Sequence, residues 1–293
     1  MFQIVSDGSC DFSDNEVAAN NIKVVPFYIT FDSEIFHREG VELMRDDFIK
    51  RITTDKNLFP KTSQPNPQDY IDAYEPFLKE GKDILSVSIS SKLSGSHASA
   101  VLAIEMLQDE YPDRKIMLLD SLSASLGQGI ILREIIKMRE AGLSLEKTME
   151  NAKRIVASTS VYFTLETLEY LKKGGRVGPT TAFVGGILGL KPILQVVEGQ
   201  VSQLDNVRGR KKALELIEEA LVEALKGEVD KVSIAIGHIL SADDANTLQN
   251  AIESALEIKI TNPICDVGAT IATHTGPGAL AFAYCRTYES LAG

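Results

Sequence analysis

The sequence predicts an α/β protein of about two domains, and three observations carry that reading. Through the first half, strand-like apolar runs alternate with helical stretches of ten or more residues, the pattern of a mostly parallel sheet. The second half contains "KPILQVVEGQVSQLDNV", an alternating stretch broken by a Glu-Gly turn, which reads as an antiparallel hairpin. The chain has 293 residues, more than one typical domain, and either half is long enough to bury its own core.

In order, "FQIVSD" is a buried strand leading to a turn and short helix in "GSCDFSDNEVAANN". "IKVVPFYITF" reads as a second strand and "SEIFHREGVEL" as a short extended excursion. "MRDDFIKRI" and "NPQDYIDAYEPFLKEG" are helical, the second opening after Pro67 and stopping at Gly81. "DILSVSI" is a strand, "LSGSHASAVLAIEML" a helix, "KIMLLDS" a strand and "ASLGQGIILREIIKMREAG" a long helix. The second half opens with a helix in "SLEKTMENAKRIVAST" and a strand in "VYFTLE". "TLEYLKKGGRVGPTTAFVGGILGL" reads as helix, glycine break, helix, before the hairpin. "RKKALELIEEALVEAL" is amphipathic, "KVSIAIGHI" a strand, and "SADDANTLQNAIESAL" a helix with a Ser cap. "EIKITNPIC" and "ATIATHT" are expected to close the sheet. The boundary is placed near residue 158, giving domains 1–158 and 159–293, with no repeat of solenoid period.

A net charge of −11 argues against a general nucleic-acid binder, which needs a basic face to displace counterions. Cys10, Cys265 and Cys285 form no C-x-x-C pair, so no disulfide framework is expected and a reducing cytoplasm fits. "MFQIVSDGSCDF" has neither a basic leader nor a long apolar core. The longest apolar stretch, "TTAFVGGILGL" at 180–190, is too short to span a bilayer and suits a buried helix. No stable membrane insertion is expected.

Several catalytic patterns fail. No phosphate-binding G-x-x-x-x-G-K-[ST] occurs, and no G-x-S-x-G nucleophile elbow. His37, His97, His238 and His274 lack metal-ligand spacing. "GPGALA" matches G-x-G-x-x-A formally, but too little chain follows it for a βαβ unit. No nucleophile–base pair stands out. Neither a catalytic residue nor a metal is assigned, and no cofactor of the chain's own.

Four segments remain. In "SSKLSGS", Ser94, Gly95 and Ser96 stand where a strand hands over to a helix; they either cap the helix or hold an anion on its free N–H groups. In "FPKTSQPNP", Pro60, Pro65 and Pro67 stiffen a loop presenting Thr62, Ser63 and Gln64, with Asn66 or Ser63 as a cap for the next helix. In "ATIATHTGPGA", His274 precedes a Gly-Pro turn, and in "KKGGRVGP", Arg176 sits among glycines. Hydroxyls, a histidine and an arginine make a neutral-to-cationic cup suited to a carboxylate or phosphate, with apolar residues to wall a slot beside it.

These pieces together resemble the DegV family, the fatty-acid-binding proteins that serve bacterial fatty acid kinase. "IVSDGSCDF", "VVPFYITF", "FPKTSQPNP", "SVSISSKLSGSHASA", "LLDSLSASLGQG", "LEYLKKGGRV", "KPIL", "RGRKKAL" and "THTGPGALA" follow in the family's order across nearly the whole chain. The resemblance implies an N-terminal Rossmann-like, mostly parallel sheet and a C-terminal α/β domain with a mixed sheet. It implies a long-chain fatty acid between them, its carboxylate bound by Thr62, Ser94 with Gly95, and His274, with Arg176 and Arg208 as contacts to carboxylate, phosphate or kinase. Ser63, Ser96 and His97 are weaker candidates. The implied partners are a fatty acid kinase subunit, which brings ATP and magnesium, and an acyltransferase that uses the acyl phosphate in phospholipid synthesis. The chain itself would be a carrier without catalysis. A lipid-like phosphotransferase or hydrolase, and a carrier of another apolar carboxylate, are the alternatives.

Two departures from the family pattern matter. Ser96 and His97 stand where a Thr and an aromatic are usual after "LSG", and Gly209 stands where a hydroxyl residue is common in "RGRKK". The basic run Arg208, Arg210, Lys211, Lys212 is either a solvated helix start or a docking patch for the kinase.

Overall fold

The computed structural model describes residues 1–176 and 189–291. The first half supplies β1 (Gln3–Asp7), α1 (Asp14–Ala19), β2 (Ile22–Val25), β3 (Tyr28–Thr30), β4 (His37–Arg38), α2 (Arg45–Thr54), β5 (Lys61–Ser63), α3 (Pro67–Lys79), β6 (Ile84–Ser88), α4 (Ser96–Gln108), β7 (Ile116–Asp120), α5 (Leu126–Glu140) and α6 (Leu145–Ser158). The second supplies β8 (Ser160–Thr164), α7 (Glu169–Gly174), β9 (Leu190–Val197), β10 (Gln200–Arg208), α8 (Arg210–Leu225), β11 (Val232–His238), α9 (Ala242–Leu256), β12 (Cys265–Asp266), α10 (Ala269–Thr275), β13 (Leu280–Arg286) and α11 (Tyr288–Leu291).

The fold is α/β, with one parallel and one mixed sheet. Strands β2-β1-β6-β7 are parallel throughout. Strands β10-β9-β8-β13-β11-β12 form the mixed sheet, parallel only between β11 and β12. A small antiparallel sheet, β4-β3-β5, stands beside them. Apolar side chains stack these elements in five layers. Tyr70, Tyr74, Ala100 and Leu107 of α3 and α4 cover one face of the parallel sheet. Helices α5 and α6 fill the space between the two large sheets, with Ile130, Ile131, Ile135 and Ile155 fully buried. Helices α8 and α9 cover the far face of the mixed sheet through Ile217, Leu221, Leu248 and Ile252. Among the described residues no helix is long and apolar enough to cross a membrane.

The expected elements are present with four corrections. "IKVVPFYITF" is two strands, because Pro26 has no N–H to continue the ladder; β2 stays in the parallel sheet and β3 joins the small one. "ATIATHT" is helix α10, not a closing strand, so His274 projects from a helix. The sheet is instead completed by β13, which inserts between β8 and β11, and "EIKITNPIC" contributes only Cys265–Asp266. Ser241 precedes α9 but its side chain makes no capping bond. The apolar stretch at 180–190 and the pair Gly178-Pro179 fall outside the described residues, apart from Gly189 and Leu190.

One carboxylate organises the carboxyl ends of the parallel strands. Asp7, the fully buried last residue of β1, accepts five hydrogen bonds, all from uncharged donors. Ser9 N–H (3.3 Å), Ser9 Oγ (2.6 Å) and Gln128 Nε2 (2.9 Å) bind Oδ1. Ile89 N–H (2.8 Å) and Ser96 Oγ (2.9 Å) bind Oδ2. Burying a carboxylate is costly unless every lone pair is used, and here four chain segments supply the donors. Asp7→Asn would set an amide N–H₂ against at least one of these buried donors. We expect a loss of about 3 kcal/mol, because a buried donor left unpaired costs ~1–3 kcal/mol and bonds to charge are the stronger ones. A urea titration should show the midpoint fall with an unchanged slope; an unchanged midpoint would show that Asp7 is dispensable.

Candidate functional site

A cavity lies where the loops after β6 and β7, the start of α5, the inner face of the mixed sheet and α10 converge. It offers about 110 Å³ to the centre of a water-sized sphere, well beyond the ~10–15 Å³ one water needs. Its walls are apolar: Phe27, Ile89, Leu93, Leu126, Val161, Phe163, Val196, Val201, Ile239 and Leu280 among them. Polar side chains on its surface are Thr62, Gln64, Ser94, Ser125, Arg176, Thr270, His274 and Thr275. Three hydroxyls of this set are already engaged. Ser125 Oγ donates to Asp11, Thr270 Oγ1 to Glu39 (2.5 Å), and Thr275 Oγ1 to the Ile271 carbonyl (2.9 Å).

The structure brings Thr62, Ser94, Arg176 and His274 to one cavity, although they come from four separate segments. Thr62 Oγ1 and His274 Nε2 are 2.8 Å apart. Thr62 is fixed by β5, whose partner Ile29 in β3 is fully buried. Ser94 Oγ accepts from Ser96 N–H (3.2 Å), so its own proton has no acceptor among the described residues. Of the two readings of "SSKLSGS", the cap is not a side-chain one: the N-cap residue of α4 is Gly95, and the Ser94 hydroxyl accepts at the helix start and lines the cavity. Arg176 donates through Nε to the Leu93 carbonyl (3.3 Å) and through Nη1 to the Gly174 carbonyl (2.6 Å). No carboxylate pairs with it among the described residues, and burial lowers its pKa.

The other candidates are elsewhere. Ser63 points away from the cavity, being exposed on β5 where Thr62 alternates inward. Gly95 does not line it; a Cβ there would meet the side-chain amide of Gln64. Ser96 turns into the core to bond Asp7, with Tyr70 Oη 2.7 Å away. His97, half-buried in the first turn of α4, has Nδ1 2.8 Å from Ser88 Oγ and does not line the cavity. Arg208 ends β10 on an exposed edge, outside the cavity lining. In the basic run beside it, Arg210 pairs with Asp244 (2.9 Å) and Lys212 with Glu215 (3.3 Å).

Two carboxylates that the sequence reading passed over hold α10 in place. Glu39 accepts from Ala269 N–H, from Thr270 N–H (3.1 Å) and from Thr270 Oγ1. Asp11 accepts from Gly268 N–H (3.0 Å) and Ser125 Oγ. Burial raises both, Asp11 to about 7, with the Glu39 charge adding to the rise. Ser125 adopts φ +55°, a left-handed conformation uncommon for a side-chain-bearing residue. Its N–H bond to the Ser9 carbonyl (2.8 Å) and its bond to Asp11 hold it there, at the mouth of α5. Nothing in the local sequence announces these contacts, since the partners lie far apart in the chain.

The fold and this cavity define a class: an α/β protein with an apolar, ligand-sized cavity headed by one polar cluster. The chain belongs to the DegV family, whose profile, for uncharacterised proteins, matches residues 1–287. It is 30% identical over 284 residues to a DegV domain-containing protein of Clostridium perfringens, covering 97% of this chain and 98% of that one. A stearic acid-binding protein from Eubacterium ventriosum superposes with a TM-score of 0.94 at 30% identity, covering 99% of this chain and all of that one (100%). A fatty-acid-binding DegV family protein from Thermus thermophilus gives 0.87 at 31% identity, covering 97% and 99%.

The electrostatics of the cluster divide its labour. Burial, and then the Arg176 charge, press His274 down to about 4. The ring is therefore neutral at pH 7, and the positive charge in the cluster is that of Arg176. The unfolded chain protonates His274 near 6.5 and the folded one near 4, so this residue removes stability as pH falls through that window. Asp11 acts oppositely: its folded pKa is the higher one, so it adds stability as pH falls below 7. A pH titration of the His274 Cε1–H resonance should show no midpoint above pH 5, and Arg176→Gln should raise that midpoint. A wild-type midpoint near 6.5 would mean the ring is solvated.

Proposed function

We propose that this chain binds one long-chain fatty acid, with residues 1–158 and 159–293 acting as two domains around it. The carboxylate is held by Ser94 and Thr62, with His274 bonded to Thr62 and Arg176 supplying the charge. The acyl tail lies along the apolar walls. The observation that carries this reading is Arg176, a half-buried guanidinium with no carboxylate partner among the described residues, beside a free Ser94 hydroxyl at the edge of an otherwise apolar cavity. An anionic head with an apolar tail complements both features. The fatty-acid-binding relatives of the same fold support it.

In this reading the chain is a carrier, without catalysis of its own, in the cytoplasm. It presents the carboxylate to a fatty acid kinase subunit, which brings ATP and magnesium and converts the carboxylate to an acyl phosphate. The chain then delivers the acyl phosphate to an acyltransferase of phospholipid synthesis. Arg208 and Lys211, the two members of the basic run without an ion pair among the described residues, are the residues for docking the kinase. Charge there would mainly speed association.

The energetics favour a split between tail and head. A C16–C18 tail contributes on the order of 10 kcal/mol at ~0.8 kcal/mol per buried CH₂, before ordering costs. Ser94→Ala should therefore change fatty acid affinity by less than about tenfold, while reducing phosphorylation by the kinase subunit more strongly. Equal losses would contradict this division. Mass spectrometry of the purified protein, native and after organic extraction, tests the reading itself. One released fatty acid per chain supports it; an empty protein that refuses added oleate and palmitate overturns it.

A further inference from the structure

Gly237 occupies the buried interior of β11, where glycine weakens a strand. Its φ is not in the left-handed region, so the backbone does not require glycine. Space does. A Cβ at this position would lie 2.7 Å from Leu126 Cδ2, 3.1 Å from the Cys265 carbonyl oxygen and 3.2 Å from Cys265 Cβ. Leu126, the first residue of α5, also lines the cavity, as does Ala281, the register partner of Gly237 in β13.

Leu126 is buried, and the open space it borders is the cavity. The helix carrying it is wedged against its surroundings by two glycines of its own. A Cβ on Gly127 would come within 2.6 Å of Val161 Cγ2, and one on Gly129 within 2.7 Å of the Cys10 carbonyl oxygen. Each glycine in a helix costs ~1 kcal/mol relative to alanine, so their presence marks a close approach that the packing exploits. The first turn of α5 is thus packed tightly against its neighbours, and the Cys265 backbone bounds the other side of a Cβ at 237. Close-packed interiors pass such a displacement to the nearest void.

We propose that Gly237 is a specificity-determining residue: by lacking a side chain, it lets Leu126 lie against β11 and keeps that part of the cavity open to the ligand's apolar chain. The inference rests on the fatty acid reading above. The bulk at this point, Leu126 plus whatever stands at 237, sets how long or how bent an acyl chain the cavity accepts.

The test is competition. Wild type, Gly237→Ala, Leu126→Ala and the double variant are each incubated with an equimolar mixture of myristate, palmitate, stearate and oleate, then read by native mass spectrometry. Gly237→Ala should move occupancy from the C18 acids toward myristate by about fourfold per methylene displaced. Leu126→Ala should move it the other way, and the double variant should return toward wild type. That compensation would not arise from a general loss of stability, and Leu126→Ala alone keeps the test decisive if Gly237→Ala does not fold. Unchanged occupancy in the variants that fold overturns this inference while leaving fatty acid binding intact. A wild-type protein that takes up none of the four acids overturns the binding reading instead.

Discussion

The Asp7 carboxylate is the constraint on which the rest of the molecule depends. It stands at the carboxyl end of the first strand, where an open α/β sheet places its ligands. It meets that position with donors from the turn after β1, the loop after β6, the start of α4 and the first turn of α5. Because all its donors are neutral, its charge is stabilised by geometry rather than by a counter-ion, and any one segment out of place strands a buried group. The loop that carries Ser94 therefore inherits a fixed position: Ile89 is bonded on one side of it and Ser96 on the other.

The second sheet builds the cavity against that fixed edge. Helix α5 lies between both sheets, and its glycines let it come close enough to seal the layer without filling it. Helix α10 then closes the side that carries His274. It has no side-chain cap of its own, and its first N–H groups are taken by Glu39. A seven-residue helix has little intrinsic stability, so its position is set by tertiary contacts. The place of His274 is thus decided by a carboxylate from the opposite end of the sequence.

That dependence explains which parts of the molecule were legible beforehand. Thr62, Ser94, Arg176 and His274 stood out because proline, serine or glycine punctuation surrounds each of them, and such punctuation is local. Helix α10 was misread because Thr and Ile in "ATIATHT" carry strand propensity, while the bonds that cap its first turn come from Glu39, 230 and 231 residues away. Strand β13 was missed because "LAFAYCR" is apolar on both faces: Ala281 and Ala283 pack toward α5, and Leu280 and Phe282 toward α8 and α9. A strand buried on both sides gives no alternation to read. The inward turn of Ser96 was hidden for the same reason, since its partner Asp7 is 89 residues away. The cavity wall was illegible as a whole, being assembled from single positions on several strands of the mixed sheet, from α10 and from the loops after β6 and β7.

In the carrier reading, the polar cluster orients an anion without gripping it. Arg176 commits two of its five N–H donors to backbone carbonyls, one on Nε and one on Nη1, and keeps three on its Nη atoms. His274 is neutral, and Thr62 and Ser94 offer single hydroxyls. Each contact is of moderate strength, and none matches the transfer free energy of a long apolar tail. In the carrier reading this is a physical requirement rather than a weakness. The tail holds the ligand in the protein, and the head remains loosely enough bound for a second protein to reach a carboxylate oxygen and add a phosphoryl group.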